Sequence, residues 1–255
     1  VSRLHTLSVF LLATALASPG MAHVVTASDA FSGYATGSLT GANGGSGWSG
    51  AWTGSSVAAV NGGQLDIFGN NDNAATRQLA QTYSGNVLIS FDLRLSAGSL
   101  QGNDFLALWL GNSLGPNIGL KANCGGTAGC TNDLFARTNG VDAGGHAQDV
   151  SKDVTYSVLG YLQKTGGSAM YNRFDLWVDP TQQELASLTN ADAFDLGNAG
   201  IGSFNRLGFR SANLDAGDVL SIDNLRVSYV PEPGSLALLG LGMAAVMTAA
   251  RRRQR

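Results

Sequence analysis

NVLISFDLRL, residues 86–95, alternates with a period of two: Val87, Ile89, Phe91, Leu93 and Leu95 on one side, Ser90, Asp92 and Arg94 on the other. That period belongs to a strand with one buried and one wet face, the usual state of antiparallel sheets. Working outward, FLALWL at 105–110 is apolar on both faces, which predicts a central, covered strand. Further strands are expected at 64–68, 154–162, 171–178, 206–210 and 219–229, with Gly, Asn and Asp turns between them. In 171–178, Phe174, Leu176 and Val178 point inward against Arg173, Asp175 and Trp177. The last strand, VLSIDNLRVSY, carries Leu220 and Ile222 in one phase and Leu225, Val227 and Tyr229 in the other. Either both its faces are buried or a bulge sits at Asp223 and Asn224. Only 181–188 reads as a helix, and it is short. The fold class is all-β, a sandwich of antiparallel strands.

Both ends of the chain read as addresses. Residues 1–22 have a short basic start (Arg3, His5), an apolar stretch too short to span a bilayer and a small-residue end, which predicts a secretory signal peptide, a signal helix, cut after Ala22. Residues 234–250 are free of charge and predict a C-terminal transmembrane helix of about 26 Å, marginal against a core of about 30 Å. Arg251, Arg252, Arg253 and Arg255 then hold that end on the cytoplasmic side. Between the addresses lies one domain, residues 23–229, with no linker to divide it.

Charged residues make up only 13% of the chain, while glycine reaches 35 residues, so Asn, Ser and Thr must wet much of the surface. The formal charge of −3 understates the acidity of the domain, because Arg3 and the four tail arginines lie in the addresses. Residues 23–231 hold 16 Asp and one Glu against seven Arg and three Lys, hence −7. An acidic surface without basic clusters argues against nucleic acid and anionic membrane as partners and fits neutral glycans, divalent cations or no ligand. Cys124 and Cys130, in CGGTAGC, read by default as a disulfide in an exported protein, since no second Cys or His pair stands by to complete a metal site.

The tail, VPEPGSLALLGLGMAAVMTAARRRQR, resembles the PEP-CTERM sorting signal of Gram-negative bacteria: Pro231, Glu232 and Pro233, then an apolar helix, then arginines. The resemblance implies recognition and cleavage by exosortase, a membrane transpeptidase, transient contact with the inner membrane, and delivery to the cell surface or extracellular polymer matrix. An ordinary single-pass anchor is the alternative. The glycine-rich opening at 28–52, with Trp48 and Trp52, and the segments LWVDP, FNRLGFRS and SIDNLRV resemble in their order concanavalin A-like (laminin G-like) jelly-roll sandwiches. Trp48 and Trp52 then either stack on sugar rings or plug the end of the sandwich.

No catalytic constellation is evident. Glu184 is the one glutamate of the domain, so a Glu acid and nucleophile pair is missing. Asp175 and Asp179 stand four apart on a strand, and His146 lies in a Gly-rich stretch without a G-x-S-x-G partner. The expected cofactor is none, or a structural calcium shared by Asp29 and Asp223 on the first and last strands, with GNNDN (69–73) and DAGD (215–218) as further oxygen-rich stretches. Turn chemistry explains the same residues. The leading expectation is an exported, non-enzymatic surface or matrix protein with a structural or adhesive role. A carbohydrate-binding module using Trp48, Trp52, Trp109 or Trp177 and a polysaccharide hydrolase are the alternatives, with extracellular polysaccharide as the partner in question.

Overall fold

The computed structural model describes residues 23–140 and 144–231. The signal helix expected at 1–22 and the transmembrane helix expected at 234–250 lie outside them. The strands in chain order are β1 (Val24–Asp29), β2 (Gly37–Ser38), β3 (Thr53–Gly54), β4 (Ala58–Asn61), β5 (Gln64–Ile67), β6 (Asn71–Tyr83), β7 (Val87–Ala97) and β8 (Phe105–Leu110). They continue with β9 (Asn117–Lys121), β10 (Leu134–Arg137), β11 (Gly145–Ala147), β12 (Thr155–Gln163), β13 (Arg173–Val178), β14 (Ala193–Leu196), β15 (Phe204–Ala212) and β16 (Val219–Tyr229). All pair antiparallel, in a nine-stranded sheet ordered β14-β13-β12-β7-β16-β5-β4-β2, with β1 also on β16, and a seven-stranded sheet ordered β11-β10-β9-β8-β15-β6-β3. The protein is an all-β sandwich of the jelly-roll kind.

The core lies between the sheets. From β7 it takes Val87, Ile89, Phe91, Leu93 and Leu95, the phase read from the sequence, and Phe91 meets Phe209 of β15 edge to face at 6.1 Å. In β8 every residue is buried: Leu106, Leu108 and Leu110 point into the core, while Phe105, Ala107 and Trp109 lie on the outer face of the seven-stranded sheet. The irregularity in β16 is a bulge. Its register shifts between Asp223 and Arg226, Asn224 takes φ 51°, and both Leu220/Ile222 and Leu225/Val227 reach the core. The bulge also changes the neighbour, since residues 220–222 pair with β5 and residues 225–229 with β1.

Two expectations need correction. Asp175 and Trp177 face outward from β13 yet are buried, at 4% and 1% exposure. Trp177 packs under the helix Gln182–Ser187 in a second apolar cluster with Leu88, Leu159, Tyr161, Leu188 and Val230. The helix that covers them starts at a capping box of Thr181 and Glu184 and stops at Leu188, in the left-handed conformation. Strand β6, 13 residues long, has no counterpart in the sequence reading: it buries Ala74, Ala75, Leu79 and Tyr83 among polar residues, and small side chains carry little periodic signal. Among the described residues no helix is long and apolar enough to cross a membrane.

Candidate functional site

The outer face of the seven-stranded sheet collects what the sequence scatters. Register places Lys121 of β9 beside Phe105 of β8, and Asn117 beside both Trp109 of β8 and Arg137 of β10. It sets Arg210 of β15 beside Ala107 and Ala212 beside Phe105. Small residues, Ala107, Gly119 and Gly208, alternate with the rings of Phe105, Trp109 and Phe135 on this face. Arg137 lies with its Cζ 5.2 Å from the centroids of both Phe105 and Phe135, and Arg210 approaches Phe105 to 5.5 Å. Arg206 covers Trp109 at 5.6 Å and donates to the Thr76 hydroxyl at 3.0 Å. These are cation–π contacts in which guanidinium groups cap an apolar surface, Arg137 buried and Arg210 partly exposed. The Arg137 Nε donates to Asn117 Oδ1 at 2.7 Å, which orients the guanidinium. A cleft of about 170 Å³ opens here, lined by Asn103, Phe105, Lys121, Arg137, Gly140, Arg210, Ala212 and Asn213.

The disulfide loop packs on Lys121, one of the residues that line this cleft. Cys124–Cys130 is closed as expected, and Asn123, Cys124, Gly125 and Gly126 all take positive φ, a left-handed turn rather than a helix. The turn hangs on Asp133, which accepts from the backbone N–H groups of Asn123 (2.8 Å) and Val150 (2.7 Å). Burial pushes the Asp133 carboxyl above its usual range in spite of those donors. A Cβ on Gly125 would stand 2.8 Å from Lys121 Nζ, so the turn packs directly on that amine. Burial, and after it repulsion from Arg137, holds the Lys121 ammonium below its ordinary value. Reducing the bridge is expected to cost about 2 kcal/mol, the chain-entropy value for so short a loop. A thermal melt with and without reductant measures this as a midpoint lowered by several degrees.

A larger groove of about 870 Å³ runs along the outer face of the nine-stranded sheet beside the helix. Its lining offers Arg226, Asp179 and His23 and no Phe, Tyr or Trp ring, so it has little to grip a ligand with.

The residues singled out in the sequence are placed elsewhere. Asp29 Oδ1 accepts from Phe31 N–H, and its Oδ2 accepts from the Tyr34 hydroxyl (2.6 Å), Trp52 Nε1 (2.8 Å) and Arg77 (2.6 Å). Its charge is met by Arg77. Asp223 lies across from Asp92 at the bulge and accepts from Asn224 N–H. Trp52 is 1% exposed, with Phe31, Trp48 and Arg77 against it, and Trp48 donates to Ser28 O. Trp48 is partly buried against the core, whereas Trp109 and Trp177 are as buried as Trp52. Asp175 is tied to Arg173 and Gln163, whereas Asp179 accepts from Ser157 N–H, so the two do not form a pair. His146 stands on β11 and stacks on Phe135. Asn70 and Asp218 spend their oxygens on turn N–H groups, and Asp215 accepts from the Gln101 side-chain amide. Among the described residues no three His, Cys, Asp or Glu side chains gather where they could hold a metal ion.

Val230, buried at 3%, packs in the second apolar cluster, and Pro231 is the last described residue. Glu232, Pro233, Arg251, Arg252, Arg253 and Arg255 lie outside the described residues. Residues 230–253 match the family of the PEP-CTERM protein-sorting motif. The chain carries a PEP-CTERM sorting motif. It is thereby an exported protein, recognised at the membrane by exosortase. Among proteins of curated function none matches the sequence. Among solved structures the sandwich is similar to alginate lyase Aly36B, with 13% identity and a TM-score of 0.50, covering 80% of this chain and 97% of that one. A double mutant of the same lyase in complex with alginate trisaccharide gives 11%, 0.52, 82% and 100%. The Emp46p carbohydrate recognition domain gives 14% and 0.48, with 69% and 87% covered. At these identities the likeness establishes a concanavalin A-like fold for the domain that the sorting motif follows.

The cations Lys121, Arg137, Arg206 and Arg210 correct the expectation of a surface without basic clusters. Each sits in the outward phase of a strand, on β9, β10 and β15, and sheet order rather than sequence order makes them neighbours. The one signal available was Arg or Lys closing or punctuating apolar strands, in NIGLK, LFAR and FNRLGFR.

Proposed function

We propose that this exported protein is cleaved near Pro231, Glu232 and Pro233, and that it serves at the Gram-negative cell surface or in the extracellular matrix as a non-enzymatic adhesive module. It holds saccharide on the outer face of the seven-stranded sheet. The observation that carries this reading is the cleft at Phe105, where a buried ring capped by arginines forms the base and Asn103, Asn213, Lys121 and Arg210 form the rim: a concave site with several converging hydrogen-bonding side chains suits the hydroxyls of a sugar. The jelly-roll fold, shared with a lyase solved with a bound trisaccharide, supports it by analogy. A non-enzymatic role is supported by the fate of the carboxylates: Glu184 is committed to a helix cap and Asp175 to Arg173.

Two measurements test the proposal. The mass of the exported protein is expected to exclude residues 236–255, and a mass that includes them refutes cleavage. On a glycan array the protein is expected to bind, and Asn103→Trp, which fills the cleft from an exposed position, is expected to abolish binding while leaving the circular dichroism spectrum unchanged. Turnover of any bound polysaccharide would overturn the non-enzymatic part.

A further inference from the structure

Four of the ten cations in residues 23–231, Lys121, Arg137, Arg206 and Arg210, stand on one face of one sheet in a segment whose formal charge is −7. They come from three strands, and neighbouring strands lie about 4.8 Å apart, so β15, β9 and β10 spread their charges across a strip about 15 Å wide. The arrangement is costly to the free protein. Lys121 makes no ion pair among the described residues, is partly stripped of water and is repelled by Arg137. Arg210 meets Asp72, but that carboxylate is 65% exposed and screened by solvent. Covering Phe105, Phe135 and Trp109 requires the side-chain stems and not the charges, so packing alone does not explain why the caps are cationic.

We infer that this face takes a polyanionic saccharide, one whose sugars carry carboxylate or sulfate groups, gripped by Lys121 and Arg210 at the cleft beside Phe105, with the buried Arg137 adding its charge from beneath. The inference rests on the carbohydrate-binding reading above and names its ligand class. A guanidinium presents a planar fork that matches two oxygens of a carboxylate or sulfate, and an ammonium supplies a point charge beside it. An anion would relieve the repulsion between Lys121 and Arg137 that the free protein bears. The acidic remainder of the domain disfavours a long nucleic acid or an anionic bilayer, which would have to lie against negative surface beyond this strip.

The test is binding of the exported protein to polygalacturonate, dextran sulfate, unmodified dextran and single-stranded DNA by surface plasmon resonance, at two salt concentrations. The expected result is binding to one or both anionic polysaccharides at least tenfold tighter than to dextran or DNA, weakening as salt rises. The preferred polymer identifies the charged group. Lys121→Met keeps the stem and removes the charge. It is expected to weaken that binding about tenfold, in line with the loss of one charge-assisted hydrogen bond, while the thermal midpoint at neutral pH stays level or rises. The sign follows from the lowered ammonium value: the protonated form is less favoured in the folded than in the unfolded chain, so at neutral pH it subtracts stability, and the penalty lifts as pH climbs toward the ordinary lysine range. A lysine with a purely structural role would lose stability and leave the salt dependence unchanged. Equal binding to dextran, equal binding to DNA, or undiminished affinity in Lys121→Met overturns the inference while leaving the saccharide reading standing or falling by the dextran arm. Binding to none of the saccharides overturns both.

Discussion

Arg77→Met is expected to lower the stability of the domain by about 3 to 5 kcal/mol, the range for removing one partner of a buried ion pair. Arg77 enters from β6 with its side chain 1% exposed and meets Asp29, 2% exposed, at 2.6 Å. Its other nitrogens donate to Gly50 O at 2.8 Å and Asn43 Oδ1 at 2.9 Å, and its guanidinium lies 4.8 Å from the Trp48 ring and 5.5 Å from Trp52. One side chain therefore ties β1, the opening glycine-rich loop and β6 together. Methionine keeps much of the volume but leaves the Asp29 carboxylate buried with neutral donors only. For a domain of this size the loss corresponds to a melting midpoint lowered by on the order of 10 °C. Adding Asp29→Asn to Arg77→Met is expected to recover part of it, because the orphaned charge is then gone. A single mutant that melts within a degree or two of the parent would show that Asp29 does not depend on Arg77.

Gly47→Ala is expected to cost about 2 to 5 kcal/mol, for a different reason. Gly47 holds φ 77°, where a Cβ costs about 1–2 kcal/mol. It also presses on β1, so that a new Cβ would overlap Thr26 O and stand 2.6 Å from Ala27 Cα; crowding of this kind adds about 1–3 kcal/mol. Backbone atoms of a paired strand cannot step aside as a flexible side chain would. The contact exists because Ser46, between Gly45 and Gly47, pairs with Ser28 through two hydrogen bonds of 2.9 Å. Gly33→Ala in the same loop is the comparison: no atom lies within 4 Å of its Cβ position and its φ is not positive, so the change is expected to be neutral or to stabilise by up to about 1 kcal/mol. Chemical denaturation of both variants checks the pair, and equal losses would contradict the account.

How far the fold could be read in advance follows from the kind of side chain that carries each element. In β7 and β8 the signal is large and periodic, because Val, Ile, Leu and Phe meet the core at every second position. In β6 it is faint, because Ala74 and Ala75 fill the same inward places with a single carbon each and Arg77 fills another with a charge. The bulge in β16 was visible as a phase change, since two apolar pairs cannot both face one core without an extra residue between them. The burial of Trp177 was not, because the helix that covers it is remote in sequence from the strand β12 it also covers.

By itself, then, the sequence determined which way the main strands face, the phase change that the structure resolves as a bulge in β16, that Cys124 and Cys130 pair, and that residues 230–253 carry a sorting motif. These are properties of neighbours along the chain, where period, spacing and order are local quantities. The tertiary structure decided the partners. It paired Asp29 with Arg77, packed Trp48 and Trp52 against each other and Arg77, and brought Lys121, Arg137, Arg206 and Arg210 onto one face of a sheet in an acidic domain. Charge and ring stacking act through space, and only sheet order sets which strands lie side by side.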